Sequence, residues 1–167
     1  MTFIEINPKD LTENAINLIG LDWMLINSGS KEKYNMMTAS WGGLGVLWHK
    51  PVSFIFVRPS RYTYQFIEEQ ETFSLNFFAQ EYRSILNFCG SKSGRDIDKM
   101  KEVDLSPLEI LNTPYFKEAK LVLICKKLYY QDLKPENFLH TFGDKFYKNG
   151  DYHRMYIGEL LTCLKHE

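Results

Sequence analysis

Pro51-Val52-Ser53-Phe54-Ile55-Phe56-Val57-Arg58-Pro59-Ser60-Arg61-Tyr62-Thr63 is a near-continuous apolar run that stops at an arginine and turns into a cationic, hydroxyl-rich segment. Val52 to Val57 reads as a strand, and a proline at its start costs no ladder hydrogen bond. Tyr62 to Gln70 reads as a short helix, with Tyr62, Phe66 and Ile67 near one face and acids around its end. Thr72-Phe73-Ser74-Leu75-Asn76-Phe77-Phe78 then alternates with period two, as a strand does. Toward the N-terminus, Trp23 to Ser28 is a strand ended by a Gly29-Ser30-Lys31 turn, with Tyr34 to Ser40 as its hairpin partner. Toward the C-terminus the longest strand signals are Lys120 to Tyr130 and Tyr152 to Leu164. The remaining helical signals are short. Glu81 to Phe88 is predicted to stop at Gly90, and Ser93-Gly94-Arg95-Asp96 resembles a capping box opening a helix through Lys101. Long strands separated by short helices predict a mainly β fold, a β-barrel with peripheral helices. A doubly wound α/β sheet is disfavoured, because it needs long amphipathic helices between strands.

The 167 residues fit one domain, 1–167, large enough to bury a core without disulfides. Apolar residues make up 44% and aromatics 15%, which excludes a disordered chain; a Phe-rich core accounts for most of the rings, and some are available to a pocket or subunit interface. Twenty basic residues nearly balance 21 acidic ones, so no broad field for nucleic acid or an anionic membrane is expected. Cys89, Cys125 and Cys163 are widely spaced with no CxxC, which argues against a zinc site and for a reduced, cytoplasmic setting. The first ten residues lack the basic start and apolar stretch of a secretory signal, and no apolar run reaches membrane-spanning length. A soluble, cytoplasmic protein is the expectation.

Three segments carry chemistry. In Asn35-Met36-Met37-Thr38-Ala39-Ser40-Trp41-Gly42, small hydroxyl residues and glycine let a flat ligand approach the backbone. The Thr38 or Ser40 hydroxyl can serve a polar ring edge while Trp41 covers ring area. The plain alternative is a strand running into a Gly-rich turn. Gly42-Gly43-Leu44-Gly45 is not a dinucleotide fingerprint, since the third glycine position is Trp48 and no helix follows. In the second segment, Arg58, Ser60, Tyr62 and Thr63 supply the charge and donors that a phosphate ester needs. A solvated loop with Ser60 as a helix cap explains that segment equally well. The third, Cys89 to Lys99, repeats the logic with Ser91, Lys92, Ser93 and Arg95; an exposed capping turn is its alternative. His153 opens an apolar strand beside Tyr152 and Arg154, with a satisfied or surface histidine as the plain alternative. His49, His140 and His166 have no partners at ligand spacing, so no metal site is expected, and no GxSxG marks a nucleophilic triad.

Jointly and in order, Asn35 to Trp41, Arg58 to Thr63, Ser74 to Phe77, Cys89 to Asp96 with Lys99, and Asp151 to Glu159 resemble the flavin reductase-like family of FMN-binding split barrels, close to its flavoredoxin branch. That resemblance implies a six-stranded antiparallel Greek-key split barrel, a homodimer, and non-covalent FMN near the subunit interface. By position, Asn35, Met37, Thr38, Ala39, Ser40 and Trp41 would border the ring and ribityl chain. Arg58, Tyr62 and Thr63, aided by Ser91 and Lys92, would hold the phosphate, and Asn76 would touch the ribityl chain or ring edge. His153 takes the place of a histidine near flavin and nicotinamide, implied as the catalytic position. The family's Gly-Asp-His element is here Gly150-Asp151-Tyr152-His153, with one extra residue, and Gln131 to Asn149 matches no motif.

The expected function is an FMN-dependent oxidoreductase, with NADH or NADPH as co-substrate. Two alternatives stand beside it: an FMN electron carrier serving a redox protein partner, and a non-enzymatic FMN- or nucleotide-binding storage or sensor protein.

Overall fold

In a computed structural model, which describes residues 2–166, the sheet's two edge strands are joined by only two residues. The strands are β1 Phe3–Ile6, β2 Met24–Gly29, β3 Tyr34–Ala39, β4 Gly42–Leu47, β5 Lys50–Val57, β6 Thr72–Phe77, β7 Pro107–Ile110, β8 Thr113–Phe116, β9 Leu121–Asp132 and β10 Arg154–His166. Seven of them run β3-β2-β6-β9-β10-β5-β4, all pairs antiparallel, with β1 on the far half of β10 and β7–β8 as a separate hairpin. The edges β3 and β4 are linked by Ser40 and Trp41 alone. So short a link spans about 10 Å at most, so the sheet must curl until its edges meet there. The expected barrel is present, open at that seam. Strand number is larger than six, because β1, β4 and the β7–β8 hairpin were not read from the sequence.

β4 is the instructive omission. Gly42 to Gly45 was read as a turn, yet it is an edge strand paired to β5 from Gly42↔Ile55 to Leu47↔Lys50. The tight position is Gly42, where a Cβ would come 2.7 Å from the backbone oxygen of Phe54 on β5; at Gly43 it would only touch the Phe54 ring at 3.6 Å. The hairpin turn is Trp48-His49, at φ 51° and 59°, the backbone of a primed two-residue turn without its usual Asn-Gly signature.

β9 is buried on both faces from Leu121 to Cys125, where β6 and β10 flank it, which is why that half reads as an apolar run. Leu121, Leu123 and Cys125 face a core shared with Met24, Ile26, Ile55, Phe73, Leu75 and Tyr156. Val122 and Ile124 face a second core with Leu25, Met36, Leu86, Cys89 and Phe116. The helices are α1 Ala15–Asn17, α2 Thr63–Glu69, α3 Arg83–Ser91 and α4 Lys99–Glu102, with a π turn at Leu18–Asp22. None is long and apolar enough to cross a membrane.

Two predicted helix boundaries move. Gly90 does not end α3 but lies inside it, where a Cβ would come 3.2 Å from Thr38 Cβ; the missing side chain lets α3 lie against β3. Ser93 does not cap α4. Asp98 does, accepting from Met100 N, while Ser93 Oγ closes a local turn by accepting from Arg95 N.

Candidate functional site

The seam between β3 and β4 carries a cleft made of adjoining cavities. One, of about 220 Å³, is lined by Met37, Thr38, Ala39, Ser40, Trp41, Phe56, Arg58, Arg61 and His153. A second, of about 190 Å³, is lined by Asn35, Ser60, Arg61, Tyr62, Thr63, Ser91, Lys92, Ser93, Gly94 and Lys99. Arg61 lies in the wall of both. A third hollow, bounded by Trp23, Thr38, Ser40, Leu86, Asn87, Gly90 and Ser91, shares Thr38 and Ser40 with the first and Ser91 with the second. The three hollows adjoin one another along β3.

The second cavity is an anion chamber by composition. Arg61, Lys92 and Lys99 are its cations, five hydroxyl side chains surround them, and no carboxylate lines it. Lys99 is 4% exposed, and its ammonium donates to Met36 O (2.8 Å) and Cys89 O (2.7 Å). Burial first, and then the charge of Arg61 against the opposing Cys89, brings its pKa down to about 8. Burial, and next the charge of Arg58, also lowers the Arg61 pKa. Among the described residues these two cations form no ion pair, and an anionic group would supply the counter-charge.

Two loops frame this chamber and are tied by crossed bonds. Arg61 Nη1 donates to Gly90 O at 3.0 Å, and Arg95 Nη1 donates to Ser60 O at 2.7 Å while its guanidinium covers the Tyr62 ring. Gly94 closes the wall: a Cβ there would meet Asn35 Oδ1 at 2.2 Å. Asn35 is anchored in turn by donating to Thr63 Oγ1 at 2.7 Å.

In the first cavity, His153 is 7% exposed and its Nδ1 lies 2.7 Å from Tyr147 Oη. The Trp41 ring stands 5.3 Å from the imidazole, and Phe146 meets the edge of Trp41 at 5.4 Å. Burial, reinforced by the Arg58 charge and opposed by Asp151, pulls the His153 pKa down to about 4, so the ring is neutral at pH 7. The extra residue before it is absorbed by backbone that turns back at Gly150 (φ 74°) and Asp151 (φ 58°). β10 then starts in register, Arg154 opposite both Val57 and Asp132, and His153 reaches the cavity wall.

Several sequence expectations need correction. Asn76 reaches neither cavity: it is fully buried, its Nδ2 donates to Ser74 Oγ and Leu25 O, and its Oδ1 accepts from Phe116 N. It ties β8 to β6. Asn35 stands at the anion chamber, not along the ring cavity. Arg58 stands apart from Tyr62, Thr63, Ser91 and Lys92, in the first cavity, with Nη2 donating to Phe146 O (2.9 Å) and Nη1 to Asp151 O (3.3 Å). The Thr38 hydroxyl is spent on Leu86 O and is no free donor for a ring edge. Ser60 caps no helix; its N–H and hydroxyl both donate to the Asp151 carboxylate. Met37, Ala39, Ser40 and Trp41 line the first cavity, and Tyr62, Thr63, Ser91 and Lys92 the second. Arg61, Lys99 and Phe56 were missed. The Arg-Pro-Ser-Arg spacing points to Arg61 as much as to Arg58, and Lys99 ends the Cys89 segment, for which an exposed capping turn with Lys99 as a surface charge is only the alternative reading. The Gln131 to Asn149 segment folds back through Phe146 and Tyr147 onto Arg58 and Trp41.

The model of the flavin reductase like domain matches residues 21–166. Among solved structures, a flavoredoxin from Methanosarcina acetivorans is similar at 24% identity and TM-score 0.67, over 98% of this chain and 75% of that one. An FMN-binding protein from Thermus thermophilus aligns at 21% identity and TM-score 0.67, over 87% and 71% of the two chains. The NADH:FAD oxidoreductase SgcE6 of Streptomyces globisporus aligns at 17% identity and TM-score 0.64, over 87% and 75%. At these identities the likeness is one of fold. No curated protein matches the chain.

Proposed function

Because this chain belongs to the flavin reductase-like domain family, we propose that it is an FMN-binding oxidoreductase that draws on NADH or NADPH. The observation that carries the reading is the anion chamber, free of carboxylates, opening beside an aromatic cavity across a shared Arg61. One chamber suits a phosphate and the other a flat ring, and the groove along Thr38, Ser40 and Ser91 suits the polyol between them. Flavin mononucleotide, when bound, supplies hydride transfer between a nicotinamide and an acceptor.

The chain's own residues bind and orient. Arg61, Lys92 and Lys99 would neutralise the phosphate, with the Ser93 hydroxyl as a further donor; the Ser91 hydroxyl is given to Phe88 O. Trp41, Phe56 and Met37 offer apolar area to a ring. His153, neutral at pH 7, offers a hydrogen-bonding nitrogen without adding charge to the cavity. Arg58 holds Phe146 and Asp151 over the rim and so limits water there. The homodimer belongs to the same proposal, and Val46 (76% exposed) and Trp48 (55%) are apolar surface that a second subunit would cover.

The experiment is an absorption spectrum of purified protein before and after desalting, followed by anaerobic NADH or NADPH. A yellow protein that bleaches promptly supports the reductase. A yellow protein reduced by a ferredoxin or rubredoxin but not by pyridine nucleotide is the carrier instead. Yellow that persists against both marks the storage or sensor reading. Protein that neither retains nor takes up FMN overturns the proposal.

A further inference from the structure

Tyr147 lies in the segment that carries no family motif, and its phenol is the single hydrogen-bond partner of the His153 ring among the described residues. We propose that Tyr147 is a positioning residue that fixes His153 as the Nε2–H tautomer, so that the wall presents a neutral N–H donor to a carbonyl-type oxygen in the cavity. The reading rests on the proposed function only for what occupies that cavity; the tautomer stands on the chain's own contacts.

Both side chains are buried, Tyr147 at 9% and His153 at 7% exposure, so the phenol hydrogen needs an acceptor. The acceptor in reach is His153 Nδ1, at 2.7 Å. Two charges stand nearby: the Arg58 guanidinium, 5.0 Å from the Tyr147 ring centroid, has only donors and gives two of them to Phe146 O and Asp151 O, and the Asp151 carboxylate accepts from Ser60 N–H and hydroxyl. A proton on Nδ1 would leave the phenol hydrogen without a partner. With Nδ1 accepting and the ring neutral, the imidazole proton sits on Nε2. Burial and Arg58 both disfavour imidazolium, against a weaker pull from Asp151.

The phenol is itself held in place. Tyr152 stacks on Tyr147 with centroids 4.5 Å apart and planes 19° from parallel, and Arg58 also lies over the Tyr147 ring. Tyr152 falls within the one-residue lengthening of the Gly-Asp-His element, so the departure from the family pattern builds the platform that orients the histidine. A fixed N–H donor is of most use to an oxygen that gains negative charge during reaction, because its dipole needs no reorientation.

Nitrogen-15 histidine labelling and long-range proton–nitrogen NMR on the FMN-free protein test this directly. The wild type should show His153 as one tautomer, protonated at Nε2, at pH 7. A proton on Nδ1 overturns the proposal, with no variant required. Tyr147→Phe should shift the Nδ1 resonance toward that of an unbonded nitrogen and raise the titration midpoint by about one pH unit. Tyr152→Leu, which keeps the phenol, should do so to a smaller extent. An unchanged Nδ1 resonance and midpoint in Tyr147→Phe overturns the positioning role. Adding FMN to the labelled wild type examines the occupant separately: a moved Nε2–H signal supports the flavin reading. A still one overturns that reading and leaves the Tyr147 assignment in place.

Discussion

Arg61 and Arg95 reach across one gap in opposite directions, Arg61 donating to Gly90 O in the last turn of α3 and Arg95, in the segment that follows it, donating to Ser60 O. The anion chamber is therefore not two loops lying side by side but a single laced frame, and its geometry depends on close contacts behind it.

Gly94→Ala should disturb that frame most economically. The new methyl would sit 2.2 Å from Asn35 Oδ1 and 2.7 Å from the Tyr62 ring, so buried Asn35 must move and strain its bond to Thr63. We expect a loss of about 1–3 kcal/mol in stability and weaker FMN binding. Urea denaturation and flavin fluorescence quenching measure the two separately.

Lys99 gives the chamber a pH dependence. Its folded pKa is lowered to about 8, so it is charged below that value and loses its proton as pH rises through it. FMN affinity should fall across that step by about tenfold, or about 1.4 kcal/mol. Lys99→Met should bind weakly throughout and show no step. A wild-type dissociation constant flat from pH 7 to 9 would remove Lys99 from the phosphate site.

His153 has the opposite consequence, for stability in acid. Its folded pKa is lowered to about 4 from an ordinary 6.5, so in that window the unfolded chain binds a proton that the folded chain refuses. The stability contributed above pH 6.5 is lost progressively as pH falls toward 4. His153→Gln should show a shallower decline. Denaturant midpoints at half-unit pH steps decide the matter.

Arg58→Ala should free the chain it fastens. Two backbone carbonyls, at Phe146 and Asp151, lose their donor, and Tyr147 loses its cation. Limited proteolysis should cut between Gln131 and Asp151 several-fold faster than in wild type, even in the absence of flavin. Equal cleavage rates would show that the stacked tyrosines hold the segment without it.

The long strands could be read in advance because β5, β6, β9 and β10 carry their pattern locally, as apolar runs or strict alternation. β4 could not, because Gly42 answers to the close approach of the Phe54 backbone oxygen on β5, and glycines in sequence read as a turn. The same distinction separates the site residues. Trp41, Tyr62 and His153 were suggested by type and place. The burial of Lys99 against two carbonyls, the diversion of Arg58 to backbone, and the use of Asn76 as a bracket for β8 depend on partners up to 93 positions away. No local pattern encodes such partners.

The register at the start of β10 has one more implication. Arg154 is pinned between Val57 and Asp132, and the excess length upstream is taken up by a backward loop at Gly150 and Asp151. Insertions or deletions before that loop need not displace His153 at all. The stretch over the rim should therefore tolerate changes of length and composition while the inner wall stays where it is.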